Sequence, residues 1–122
     1  MKNSILIGIV LALPLCAVGA RAQQVVPHAC NASSVVTGGT STTAISGAYN
    51  GYFILNPLSA ADEGLGAVEP LYVNPTGAAT ATGYGSTTAL APGTQFYGVP
   101  NSNVSVGVNA ASSGHNFVCV RW

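Results

Sequence analysis

Between Gln23 and Trp122 the apolar positions come in short runs, and none recurs on a helical period over any useful length. No stretch there places apolar residues at i, i+3, i+4 and i+7 without a glycine or proline interrupting it. Short β-branched or aromatic runs alternate instead with clusters of Gly, Pro, Asn and Ser. This pattern predicts strands near Ser33–Thr37, Thr42–Ser46, Gly51–Asn56, Glu69–Asn74, Thr87–Leu90, Thr94–Tyr97, Val104–Asn109 and Asn116–Arg121. The breaks between them hold GG (38–39), NP (56–57), NPTG (74–77), APG (91–93) and VPNSN (99–103). A strand about every ten residues, with turn residues between, predicts an all-β domain. The expected form is a small antiparallel β-sandwich or partly open barrel of seven or eight short strands.

One segment departs from this pattern. Leu58–Val68 (LSAADEGLGAV) carries two of the three acidic residues of the chain. It could form a helical turn, but it reads as a long surface loop joining two strands, a place where contacts with other molecules concentrate. A faint repeat supports a two-part sandwich. STTAI (41–45) returns as STTAL (86–90), and each is followed by a turn and an aromatic run, GYF (51–53) and QFY (95–97). Paired threonines suit the pleat because β-branching does, so the echo predicts two hairpins of similar design.

The N-terminus obeys different rules. Lys2 precedes an almost unbroken apolar run, Ser4 to Val18, and Ala20-Arg21-Ala22 then forms a small-x-small site before Gln23. That layout predicts a cleavable secretory signal peptide over residues 1–22, followed by one domain over 23–122. The run is shorter than the roughly 18–20 apolar residues a membrane span needs, and it contains Pro14, which argues against an anchor. Cys16 raises a lipoprotein signal, but the residue before it is Leu15, where a small one is required. The expected location is therefore secreted or periplasmic, with no membrane attachment after cleavage.

Losing the leader changes the charge balance. Residues 23–122 keep Arg121 as their one Lys or Arg, against Asp62, Glu63 and Glu69, a formal charge of −2. Without a basic patch, nucleic-acid binding through phosphate contacts is excluded as an expectation. So few charges also leave little material for a charged catalytic cluster. No nucleophile elbow, phosphate loop or paired-carboxylate spacing is present, and no cofactor, metal or catalytic residue is expected.

HNFVCVRW (115–122) presents Phe117, Cys119 and Arg121 to one side and Val118, Val120 and Trp122 to the other, as for a strand buried on both faces or lying at a packed edge. A terminal strand frays unless it is tied down. After cleavage the one other cysteine is Cys30, so an exported chain predicts a Cys30–Cys119 disulfide. A rival use of the same residues is a zinc site built from His28, Cys30, His115 and Cys119. On a strand, however, His115 and Cys119 stand about 13 Å apart and cannot share one ion. The exported compartment also favours the disulfide. His115, in SSGHN, reads as a turn residue with no acid partner nearby.

The remaining candidates belong to surfaces. Tyr49, Tyr52, Tyr72, Tyr84 and Tyr97 could form a sugar-stacking platform, or simply pack as half-buried strand residues. Asn31-Ala32-Ser33 and Asn103-Val104-Ser105 fit the N-glycosylation pattern.

Finally, GYFILNPLS (51–59), PLYVNPTGAA (70–79), TALAPGTQF (88–96) and VSVGVNAASSGHNFVCVRW (104–122) resemble small bacteriophage and prophage structural proteins. The resemblance covers about residues 51–122. It implies a compact β domain serving as a virion-surface or decoration-type module, and it brings no catalytic residue with it. A signal peptide is a departure from that group. These readings give an exported, non-enzymatic structural or interaction protein whose partner is a protein or further copies of itself. A carbohydrate-binding or adhesin-like module is the alternative.

Overall fold

In a computed structural model, residues 26–99 and 105–122 are described. The expected leader, most of the VPNSN connection and the Asn103 glycosylation pattern lie outside them. The described chain forms two four-stranded antiparallel sheets. Its elements are β1 (His28–Ala29), β2 (Thr42–Ile45), β3 (Tyr52–Leu55), α1 (Ala60–Glu63), β4 (Leu71–Asn74), β5 (Thr88–Leu90), β6 (Gln95–Gly98), β7 (Val106–Asn109) and β8 (Val118–Arg121). The first sheet has the order β1-β8-β3-β6 and the second β2-β7-β4-β5. The expected all-β sandwich is what forms.

The core lies between the sheets. Ile45, Tyr52, Ile54, Leu71, Val73, Val106 and Val108 turn inward and are buried. β3 and β4 alternate buried and half-buried positions, the period-two signature of a strand with one face on a core. β7 is buried on both faces because the turn after β4 folds over its outer side. A Cβ on Gly107 would stand 2.3 Å from the Gly77 carbonyl oxygen and 2.8 Å from the Ala79 nitrogen. Asn109 Nδ2 donates to the Ala79 carbonyl at 3.0 Å, and the Ala79 N–H donates to Ser41 Oγ at 2.9 Å. The second sheet thus covers the outer side of β7, while Thr88 and Ala89 of β5 stay exposed.

The STTA echo marks placement rather than hairpins. β2 and β5 form the two edges of the second sheet, while β3 and β6, which carry the aromatic runs, pair with each other in the first. Each half of the echo therefore crosses from one sheet to the other. A hairpin would have kept both strands in one sheet and left one face of the core uncovered.

Three local expectations are corrected. Ser33–Thr37 is not a strand; Ser34 makes one isolated bridge to Asn116, and β1 lies upstream at His28–Ala29. The backbone of Ser33–Val35 is instead used by the 114–117 loop, through Val35 N–H to His115 O, Gly114 N–H to Val35 O and Phe117 N–H to Ser33 O. Leu58–Val68 is not all loop. Ser59 caps one helical turn by accepting from the Asp62 N–H, and Gly64 closes it in the left-handed conformation at φ 75°. The terminal strand is buried on one face, not two. Phe117 and Cys119 pack toward the core, whereas Val118 is 44% exposed.

β8 lies between β1 and β3, so pairing on both sides holds it as well as sulfur does. Cys30 and Cys119 are disulfide-bonded, with their Cα atoms 5.8 Å apart. The bond continues the β1–β8 register past Ala29↔Val120 and staples neighbouring strands of one sheet. Among the described residues no helix is long and apolar enough to cross a membrane.

Candidate functional site

Two constellations stand out, at opposite ends of β3. The first is buried. Asn56 follows β3, Glu69 precedes β4, and His115 belongs to the loop before β8. His115 and Asn56 are fully buried. His115 Nε2 lies 2.9 Å from Asn56 Oδ1, and its Nδ1 lies 3.0 Å from Glu69 Oε1. Asn56 Nδ2 donates to the carbonyls of Glu69 (3.0 Å) and Leu90 (2.9 Å). Since carbonyls only accept, the amide orientation is forced: Oδ1 is the acceptor and Nε2 donates to it. Ser112 donates to the Glu69 carboxylate twice, from its N–H to Oε1 and from its hydroxyl to Oε2, both at 2.9 Å. His115 Nδ1 joins the Ser112 groups around this carboxylate, so both ring nitrogens have a partner.

The Glu69 carboxyl reflects this. Partial burial pushes its pKa up, but the hydrogen bonds from His115 and Ser112 outweigh burial and hold it below the usual carboxylate value. The expectation that His115 is a turn residue with no acid nearby is therefore overturned. Its partners are 46 and 59 residues away in sequence, and no local spacing could reveal them. The residue types are those of an acid–base centre, yet both ring nitrogens are consumed and the ring has no exposure. The arrangement clips the end of β3, the approach to β4, the end of β5 and the loop before β8 to one another.

Glu63 lies alongside. It too is fully buried, contrary to its expected place on a surface loop. Oε2 accepts from the Glu69 N–H at 3.1 Å, while Oε1 has no partner among the described residues. No group of three or more His, Cys, Asp or Glu side chains among those residues is placed to hold a metal ion. His28 lies on β1, away from His115, and Cys30 and Cys119 are bonded to each other, so the zinc reading is overturned.

The second constellation is an aromatic cleft of about 250 Å³ between the first sheet and the turn after β4. Tyr49, Tyr52, Phe96, Tyr97, Pro75 and Thr76 line it. Tyr49 meets Tyr52 edge-on, with centroids 5.3 Å apart, and Phe96 stacks on the Tyr52 ring at 6.2 Å. The Tyr52 ring occupies the space above its cross-strand partner Gly98, where a Cβ would fall 1.8 Å from Tyr52 Cε1. Its hydroxyl is buried and has no partner among the described residues. Burial, and secondarily the neighbouring Tyr49, push the Tyr52 phenol well above its ordinary value, and burial alone raises Tyr49.

The structure brings together three of the five expected tyrosines, Tyr49, Tyr52 and Tyr97. Tyr72 lies on β4 in the second sheet, packed against the chain at Gly83, and Tyr84 stands exposed on the β4–β5 connection. Asn31 is exposed, and its Oδ1 accepts from the Ser46 N–H at 2.9 Å.

Compared with protein-family models, with curated proteins and with solved structures, the chain matches none.

Proposed function

We propose that this chain is a non-enzymatic structural or interaction protein that works outside the reducing cytoplasm and associates through the outward face of its disulfide-bearing sheet. The observation that carries the reading is the contrast between the two sheets. The second covers the outer side of β7, one of its two inner strands, with its own 74–80 turn and presents short or polar residues such as Thr43, Thr88 and Ala89 at its edges. The first leaves Phe53, Leu55, Tyr97, Val118 and Val120 side by side, with Phe53 opposite both Tyr97 and Val120 and Leu55 opposite Val118. All five keep contact with solvent, and Tyr97 is 63% exposed. The face continues into a groove of about 420 Å³ between Leu58 and Phe117, where Leu58 is 76% exposed. Contiguous apolar surface of this kind marks a contact site.

Charge narrows the partner. Of the acids in the described chain, Glu63 is buried and Glu69 is paired to His115, which leaves Asp62 and Arg121 as the exposed or half-exposed charges of opposite sign. Such a neutral face is not steered by electrostatics, and it suits a second copy of the same face. The strings that resemble phage structural proteins fall on β3 to β8 and are in keeping with a module that tiles or decorates a surface. The leader-like segment and the disulfide support secretion or a periplasmic location.

Light scattering on the oxidised protein over a wide concentration range tests this. Reversible assemblies are expected, and V118K, which places a charge at the centre of the face, is expected to dissolve them. A strictly monomeric wild-type protein at every concentration would overturn the reading.

A further inference from the structure

Each sheet ends in two edge strands, and the chain treats β6 differently from the other three. β1 is two residues long, and its Ala29 carbonyl accepts from Arg121 Nε at 3.1 Å. β2 is broken by a register shift between Thr43 and Ile45. Asn31 also lies along it, its N–H donating to the Ala44 carbonyl at 2.7 Å and its Oδ1 accepting from the Ser46 N–H. β5 has three residues and yields the Leu90 carbonyl to Asn56 Nδ2. β6 has no such cover.

The ladder shows which groups of β6 are open. Gly51 and Trp122 exchange both of their backbone bonds, at 3.2 and 3.0 Å. Bonding direction alternates along an antiparallel strand, so Phe53 and Leu55 bond to β8, while Tyr52 and Ile54 bond to Gly98 and Phe96 of β6. Gln95 and Tyr97 therefore direct their N–H and C=O groups away from β3, and both residues are exposed. β6 is paired to β3 alone, and among the described residues these outward groups have no partner. QFYG carries no charge and no proline, and its register runs without a bulge. Those are the devices that keep an edge from pairing with another strand.

We propose that β6 is a pairing edge, taken by β6 of a second copy running antiparallel across a two-fold axis at Phe96. The identity of the partner rests on the self-association proposed above, but the contact is a different one, made by backbone at the edge rather than by side chains on the face. The open pattern is self-complementary. Gln95 meets the partner's Tyr97 and Tyr97 meets the partner's Gln95, each pair exchanging both bonds, and the two Phe96 rings adjoin as an aromatic cross-strand pair. The strand is neutral, so no like charges oppose. A foreign strand would close one open edge, whereas a second copy closes two at once and joins the two first sheets into one.

The test is backbone amide hydrogen exchange of the oxidised protein over a wide concentration range, in its V118K form to break the face contact. Phe96 and Gly98 amides, bonded to β3, should be protected throughout. Those of Gln95 and Tyr97 should exchange freely in dilute solution and about tenfold more slowly where about nine chains in ten are paired. Tyr97→Pro removes the outward N–H and leaves the β3 ladder, since proline is tolerated on the open side of an edge strand. It should weaken the pairing by at least about tenfold, two bonds being lost, whereas Tyr97→Thr, which loses the ring and keeps the N–H, should still pair. Exchange at Gln95 and Tyr97 that ignores concentration, whether fast or slow, would overturn the proposal, and so would undiminished pairing in Tyr97→Pro. Failure of the face contact looks different: wild-type and V118K proteins would then scatter light alike, while the Gln95 and Tyr97 amides still decide the edge.

Discussion

Asn56 and His115, 59 residues apart in sequence, meet through Oδ1 and Nε2 at 2.9 Å inside the protein. Asn56 also holds the carbonyls of Glu69 and Leu90, so one buried amide joins four segments of chain, and His115 completes the junction by pairing with Glu69. A polar group costs free energy to bury unless every donor and acceptor is matched. Here each of the donors on Asn56 Nδ2 and on the His115 ring has an acceptor. The arrangement therefore specifies how the end of the sandwich closes.

His115→Ala should be severely destabilising. It leaves the Asn56 oxygen unmatched and takes a hydrogen-bond partner from the Glu69 carboxylate, and leaving a buried polar group unsatisfied costs about 1–3 kcal/mol, with the cavity left by the ring adding to it. Denaturant unfolding of the oxidised protein measures it. A loss below about 1 kcal/mol would show that the His115 hydrogen bonds do not hold this end of the sandwich together.

Acid should weaken the fold through Glu69. Its pKa lies below the ordinary value of 4.5 in the folded protein, because His115 and Ser112 bond to the charged form. The unfolded chain therefore binds a proton at a higher pH than the folded one. Stability from this group is complete above the ordinary value and is lost as pH falls through the lower folded value. Groups facing it are His115, Ser112 and the buried Glu63. Unfolding free energies measured down to about pH 3 should decline, and Glu69→Gln should be less stable at neutral pH with a shallower decline.

Glu63→Gln is expected to be neutral or stabilising by up to about 1 kcal/mol. The amide oxygen can still accept from the Glu69 N–H, and the amide NH2 takes the place of an oxygen that already has no partner, so one unmatched polar group replaces another. A thermal shift of several degrees downward would mean that Oε1 has a partner.

Gly98→Ala should disorder the aromatic cleft. The new Cβ would stand 1.8 Å from Cε1 and 2.0 Å from Cζ of Tyr52, and Tyr49 and Phe96 hem the ring in. Overpacking of this kind costs about 1–3 kcal/mol. Near-ultraviolet circular dichroism should lose intensity, since Tyr49, Tyr52 and Phe96 would no longer hold one geometry.

Removing the disulfide in a Cys30→Ala, Cys119→Ala protein should lower stability by about 4–5 kcal/mol on the chain-entropy account, because the bond spans 89 residues. For a domain of this size that corresponds to a melting temperature lower by on the order of 20 °C. An unchanged melting temperature would mean that pairing of β8 with β1 and β3 suffices.

Much of the framework was legible along the chain. Runs such as TTAI, YFIL, LYVN and QFYG carry their strand character in β-branched and aromatic side chains, and Gly or Pro stops each one. The disulfide was legible for a simpler reason: residues 23–122 hold two cysteines. Ser33–Thr37 misled because SSVVT has the composition of a strand, while the backbone hydrogen bonds of Ser33 and Val35 are taken by the 114–117 loop. Glu63 and His115 misled in the opposite sense. Acids near glycine, and a histidine between glycine and asparagine, look like solvated loop residues, and only remote partners make their burial tolerable.

Local chain chemistry, then, settled the elements: where strands begin and stop, which faces are apolar, and which cysteines can meet. Those properties depend on neighbours a few residues away, within reach of propensity and periodicity. Three-dimensional packing settled the rest: the sheet each strand joins, the burial of His115 beside Glu69, and the gathering of Tyr49, Tyr52 and Phe96 around an unpaired hydroxyl. These depend on groups dozens of residues apart, whose burial becomes favourable only when the partner that matches their charge, hydrogen bond or ring face arrives with the fold.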